Sequence, residues 1–294
     1  MPEVICCGEV STSRWARAMV RYGETFDRWQ TVVALRRDLP LPSVTAMSHN
    51  GVDRSPPALG DRGLLAILVL AAVVLTLAEY LLIPIRFPRL FPDLLATHAP
   101  GVWLGEATAA LAAGRPGSWW GPLLPFAWWS GGLVLIWVVL PWLLAARLGF
   151  SARRLGWGVA GLPAKLWVYA SLLVPTLVGV VWAARQPGFL AIYPMLRPEH
   201  LVSWSWVVLL LYWGLYATQF LCVEFFFRGF LLFTLETRLG AASIGVMVVP
   251  YCMIHYHKPL PEVFGAIVAG LVLGWLALAT RSIWGGALLH VAVA

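Results

Sequence analysis

Apolar runs of about 20 residues dominate the chain from residue 64 onward, and no other feature constrains its fold as strongly. An α-helix rises about 1.5 Å per residue, so such a run crosses a bilayer's hydrocarbon core with its backbone polar groups bonded internally. Residues 64–83, 119–146, 165–184 and 201–221 have that length and character. The last run continues through VEFFFRGF, residues 223–230, and ends near Arg238 and Gly240. Three shorter apolar segments follow, 242–255, 262–280 and 283–294. The later ones are short or rich in glycine, which predicts closely packed interior helices. The expected fold is all-α, a polytopic membrane helix bundle with seven transmembrane helices, or eight if residues 102–113 also enter the bilayer.

Composition agrees. Hydrophobic residues make up 60% of the 294 and charged residues 12%, and the mean hydropathy is +0.77. A soluble domain is roughly half apolar and a quarter charged. The 17 tryptophans and 8 tyrosines suit the membrane–water interface, where a ring with one polar end spans headgroup and acyl chain. The net charge of +7 comes from residues scattered through loops and the N-terminal tail, not gathered on one folded face. It therefore reads as membrane orientation, with the lipid bilayer as partner and no nucleic acid. Of the 4 cysteines, Cys6 and Cys7 lie in the polar tail and Cys222 and Cys252 in apolar segments, so no disulfide framework follows.

Three regions divide the chain. Residues 1–60 are polar and arginine-rich, with Pro40, Pro42, Pro56 and Pro57 and no long apolar run. They read as a disordered cytosolic extension and not a cleaved secretory signal, with Met47 as an alternative start. Residues 61–200 carry the first transmembrane helices, and 201–294 the remaining apolar segments. Arg147, Arg153, Arg154 and Lys165 crowd the loop after the second span without an acid, whereas Arg185 and Arg197 face Glu199 after the third. That asymmetry predicts a multi-pass protein of a bacterial-type plasma membrane with a cytoplasmic N-terminus.

The last third holds three polar islands. Glu224 and Arg228 stand four apart, on one face of a helix. A charged group at the centre of a membrane helix costs about 2.5–3.5 kcal/mol on insertion scales, so it is kept with a partner or a use. A self-neutralising ion pair that pins two helices is one reading, and proton handling by Glu224 with Arg228 tuning its charge is the other. The second island, residues 251–262, contains His255 and His257, which a regular helix sends to different faces. His255 lies deeper in the apolar run and is the better functional candidate; His257 and Lys258 look interfacial. The third carries His290 in the last apolar segment, after Gly285 and Gly286. Three islands that each supply a proton-transfer or ligating group point to a shared site.

These residues resemble the CAAX protease and bacteriocin-processing (CPBP) family of intramembrane endopeptidases, also called the type II CAAX prenyl protease or ABI family. Its first motif reads Glu-Glu-x-x-x-Arg, its second ends an apolar helix in histidine, and its third is His-x-x-x-Asn in the last core helix. Order and spacing match over residues 201–294. The resemblance implies a glutamate-based mechanism without a cofactor, in which a carboxylate activates water, His255 assists and His290 stabilises the oxyanion. The implied partner is a membrane-associated protein or peptide substrate: a prenylated CAAX protein, a leader peptide or a sorting tail.

Two departures stand out. Val223 occupies the position of the water-activating glutamate, and Ala294 that of the asparagine. Glu224 aligns with the second, arginine-pairing glutamate. Either the activity is lost, or Glu224 takes the base role through a change of helix rotation, with Glu262 as another replacement. The stop at Ala294 inside an apolar helix also reads as a truncated sequence. The leading expectation is an intramembrane protease with Glu224, Arg228, His255 and His290 as its site, and Glu262 and His257 as auxiliary candidates. A non-catalytic membrane scaffold or immunity-type relative is the alternative. A zinc-dependent hydrolase using Glu224, His255 and His290 as ligands is a second, by ligand count. A proton-relaying transporter and a Cys252–His255 thiol pair are weaker readings.

Overall fold

The computed structural model describes residues 57–83, 123–190, 192–193, 195–196 and 205–293. Most of the expected cytosolic extension, with Cys6, Cys7 and Met47, lies outside these residues, as do the segment 102–113 and Ala294. No strand occurs among the described residues. Helix α1 is Asp61–Leu82, α2 is Leu124–Arg147 and α3 is Pro163–Ala183. Helix α4 joins Trp206–Glu224, the wider π-helical turns of Phe225–Leu232, and Phe233–Leu239. Helices α5, Ser243–Met253, α6, Leu260–Thr280, and α7, Trp284–Val293, complete it.

Among the described residues five helical stretches are long and apolar enough to cross a membrane, with Trp206–Met253 counting as one. Inside that stretch Gly240 takes φ 55° and ψ −138°, a left-handed φ that glycine adopts without a Cβ clash, and the chain doubles back from α4 into α5 there. Helix α5 has 11 residues, too few to cross about 30 Å alone. The all-α membrane bundle is as expected, and length alone does not supply the expected count of seven or eight. Nor are the late helices interior on all sides. Helix α6 buries Ala266, Gly270, Leu273 and Gly274 on one face and leaves Phe264, Val268 and Trp275 exposed on another. Their glycines bring one face close to a neighbour while the opposite face keeps large apolar side chains for lipid.

The interior belongs to the second half of α4. All of Phe225–Leu232 is buried, and Phe225, Phe226, Phe227 and Phe230 have no exposed surface. Trp137 of α2 stacks on Phe226 with ring centroids 5.2 Å apart and meets Phe227 edge-on at 5.7 Å. Trp142 and Trp157 lie on Phe225 at 6.0 and 5.4 Å, and Tyr251 of α5 meets Phe227 edge-on at 5.2 Å. The phenylalanines that surround the charged pair are thus the packing that holds α2, α4 and α5 together. Lipid tails are as apolar as these rings, so shape-matched dispersion and ring geometry supply the association.

One end of the bundle is tied by charge. Arg238 at the end of α4 pairs with Asp61 at the start of α1 at 2.5 Å. Arg281, at the end of α6, pairs with Glu236 through Nη2 at 2.6 Å and lies 5.7 Å over the Phe233 ring. Arg281 itself has φ 53°, an uncommon conformation for a residue with a Cβ, which these contacts hold in place. Replacing Phe226 by alanine is expected to lower the unfolding free energy by about 3–5 kcal/mol, since it removes a wholly buried ring that packs on Trp137, Phe227 and Phe230. Thermal unfolding in a single detergent, monitored by tryptophan fluorescence, measures this.

Candidate active site

Helix α4 carries Glu224 at the junction where its α-helical part gives way to π-helical turns, and Arg228 one wide turn later. Glu224 Oε1 lies 3.0 Å from Arg228 Nη1, with the two side chains 1% and 0% exposed. The contact is ionic and not a collinear hydrogen bond, because no guanidinium nitrogen of Arg228 has an aligned acceptor. The guanidinium instead lies over the Tyr251 ring, its Cζ 4.2 Å from the centroid. A desolvated cation over an aromatic face gains about 2 kcal/mol, part of what burial of the charge costs.

Helix α7 brings in His290. Its Nδ1 is 2.9 Å from the same Oε1 of Glu224. Here too the atoms are close without the N–H pointing along the contact, so the pair is placed but not aligned. On the other side of the ring, Nε2 is 3.3 Å from the Tyr251 hydroxyl. Phe220 of α4 stacks on the imidazole at 5.5 Å with an interplanar angle of 14°, fixing the ring plane. The approach of α7 depends on Gly286, where a Cβ would fall 2.2 Å from Glu224 Oε2. Only a residue without a side chain lets the carboxylate sit against that helix.

His255 joins through Tyr251. Its Nδ1 is 2.8 Å from the Tyr251 carbonyl oxygen, which can only accept, so Nδ1 carries the hydrogen. The two rings are 4.9 Å apart. Burial, with the Lys258 charge adding to it, pushes the His255 imidazole down to about 4 from its ordinary value near 6.5. Glu224, Arg228, His290 and Tyr251 are in direct contact, and His255 adjoins them.

The two auxiliary candidates lie elsewhere. His257 is 79% exposed and faces Glu79 of α1 at 3.5 Å. Glu262 is held 2.6 Å from Lys258 Nζ and accepts from the Tyr193 hydroxyl at 3.2 Å. Burial and then that carboxylate raise the Tyr193 phenol. Neither joins the Glu224 cluster, because the turn after α5 directs residues 257–262 away from α7. Cys252 lies in the apolar core. Among the described residues no three His, Cys, Asp or Glu side chains converge to hold a metal ion. Glu224, His255 and His290, the zinc set by ligand count, do not form such a group.

Tyr251 is the residue that sequence reasoning missed. It stands four before His255 on the same helix face, which is the one signal that could have drawn attention to it. Val223, at the position of the missing glutamate, packs into the apolar core at 7% exposure.

Among comparisons with known proteins, residues 200–294 match the family model described as Type II CAAX prenyl endopeptidase Rce1-like. The C-terminal segment is similar to that family. No curated protein and no solved structure matches the chain. The matched segment holds every member of the Glu224 cluster, and the long apolar helices are those of an integral membrane protein.

Two outcomes follow from this geometry. Gly286→Ala is expected to cost about 1–3 kcal/mol of stability, as overpacking does, because the new methyl displaces the Glu224 carboxylate; a lowered thermal midpoint checks it. For His255 the folded state holds its proton less tightly than the unfolded chain does. Its contribution to stability is complete above pH 6.5 and is lost as pH falls from there toward about 4. Thermal midpoints recorded across that window should fall less steeply with acid in His255→Gln than in the wild type.

Proposed function

We propose that the protein is an intramembrane endopeptidase of the type II CAAX family that hydrolyses a peptide bond in a membrane-associated segment. The observation that carries this reading is the meeting of Glu224 on α4 with His290 on α7, 66 residues along the chain, at 2.9 Å and at membrane depth. A carboxylate and an imidazole in contact, in a segment matching this family, are the parts that acid–base hydrolysis of an amide requires. Glu224 serves as base or as the base's partner, Arg228 as its counter-ion, and His255 and His290 as the assisting imidazoles. No cofactor enters this chemistry. The substrate is a prenylated protein's C-terminal peptide, a leader peptide or a sorting tail, delivered in the bilayer.

Charge placement supports a cytoplasmic N-terminus. Arg62, Arg147, Arg153, Arg154, Lys165, Arg238 and Arg281 gather at the end of the bundle where α1 begins, against Asp61 and Glu236. At the opposite end, among the described residues, Arg185 and Lys258 stand against Glu79 and Glu262. The positive-inside rule assigns the first end to the cytoplasm, as for a bacterial-type plasma membrane protein.

A second reading rests on Val223. A valine packed into the core where the family places its water-activating glutamate favours a non-catalytic scaffold that keeps the old site as a binding surface. Cleavage decides between them. Purified protein in proteoliposomes is expected to cut a farnesylated C-terminal peptide or a membrane-anchored leader peptide, with Glu224→Ala reducing the rate at least about 100-fold. Equal product from wild type and variant would remove Glu224 from the mechanism, and no product from either would favour the scaffold.

A further inference from the structure

The four members of the cluster are not equally reachable. Glu224 is 1% exposed and Arg228 0%, and Oε1 of the carboxylate already has Arg228 Nη1 and His290 Nδ1 within 3.0 and 2.9 Å. Tyr251 is 2% exposed. His290 is 16% exposed, and its Nδ1, which faces the carboxylate, is buried. A water molecule or a peptide approaching the site therefore meets the imidazole before it meets Glu224.

The chemistry of the ring follows from its neighbours. A guanidinium stays charged at all working pH values, so the carboxylate opposite Arg228 is its counter-ion and an acceptor only. Nδ1, facing that acceptor, is the nitrogen that carries the hydrogen in a neutral imidazole. Nε2 is then left with its lone pair, and the Tyr251 hydroxyl 3.3 Å away is its donor. The order carboxylate, imidazole, hydroxyl is that of the hydrolase triads, where the carboxylate sets the tautomer and the imidazole moves the proton. The Nδ1–H and Oε1 are not collinear here, and contacts of this kind commonly align when substrate arrives.

Resting on the reading of the preceding subsection, we infer that His290 Nε2 is the general base of this chain, with Glu224 and Tyr251 as the residues that position it. In the reaction Nε2 takes one proton from water as the oxygen bonds to the scissile carbonyl carbon. The carbon–nitrogen bond then breaks with its electron pair going to nitrogen, and the proton on Nε2 passes to that leaving amine. The Tyr251 hydroxyl, released from Nε2 by the incoming water, turns to donate to the carbonyl oxygen as it gains charge. In the family's usual pattern the carboxylate activates water and the last histidine is a donor. Here Val223 takes the place of that carboxylate, and the remaining glutamate is sealed behind His290.

The test compares His290→Gln and Tyr251→Phe with the wild type on the farnesylated peptide in proteoliposomes, together with the ¹⁵N spectrum of histidine-labelled protein. Glutamine keeps an N–H donor but cannot take a proton, so kcat is expected to fall at least about 100-fold with KM little changed. Tyr251→Phe keeps the ring over Arg228 and should lower kcat about 100-fold while the thermal midpoint holds. The spectrum, assigned by the loss of signals in His290→Gln, should show hydrogen on Nδ1 and a bare Nε2 that shifts in Tyr251→Phe. A His290→Gln rate within about tenfold of wild type, or a His290 tautomer with hydrogen on Nε2, overturns the base assignment and leaves the protease reading standing. A wild type that cuts no peptide overturns both.

Discussion

Everything in this fold is arranged around one costly object, the ion pair of Glu224 and Arg228 buried in the middle of α4. Taking two charges out of water costs several kcal/mol per ion, and their mutual attraction offsets that only with close geometry and further polar neighbours. The chain supplies those neighbours from two other helices: the Tyr251 ring from α5 under the guanidinium, and from α7 both His290 and the bare backbone at Gly286 beside the carboxylate. None can leave without stranding a charge. The pair therefore fixes where α5 and α7 sit.

The aromatic shell gives this arrangement its rigidity. Phe225, Phe226, Phe227 and Phe230 pack against Trp137, Trp142, Trp157 and Tyr251, so the π-helical turns of α4 are held from several sides at once. Wide turns of this kind are weak in isolation and occur mostly at functional sites. In this chain they follow directly on Glu224, and they set the direction in which Arg228 leaves the helix. Chemistry and packing are therefore coupled through the same eight residues.

How much of this was legible differs from residue to residue. The apolar runs identified the membrane helices because length and hydropathy suffice for that, and the four-residue spacing of Glu224 and Arg228 indicated their shared face. The count of crossings was less legible, since an apolar segment of 11 residues such as α5 looks alike in sequence whether it spans or stops halfway. Glu262 and His257 had the right chemistry and the wrong direction; a turn after α5 sends them to Lys258, Tyr193 and Glu79. Tyr251 was passed over because a tyrosine in an apolar run is ordinary. Its role comes from what lies above and below its ring.

By itself the sequence determined the solvent, the helical class and the few ionisable groups that the membrane portion contains, because each depends only on composition and on local period. The tertiary structure decided which of those groups meet. His290 could have faced lipid or a neighbouring backbone; Gly286 and the wide turns after Glu224 bring it to the carboxylate and leave Nε2 beside the Tyr251 hydroxyl. Contact between residues 66 positions apart depends on the crossing of two helices, and no local rule of spacing encodes that angle.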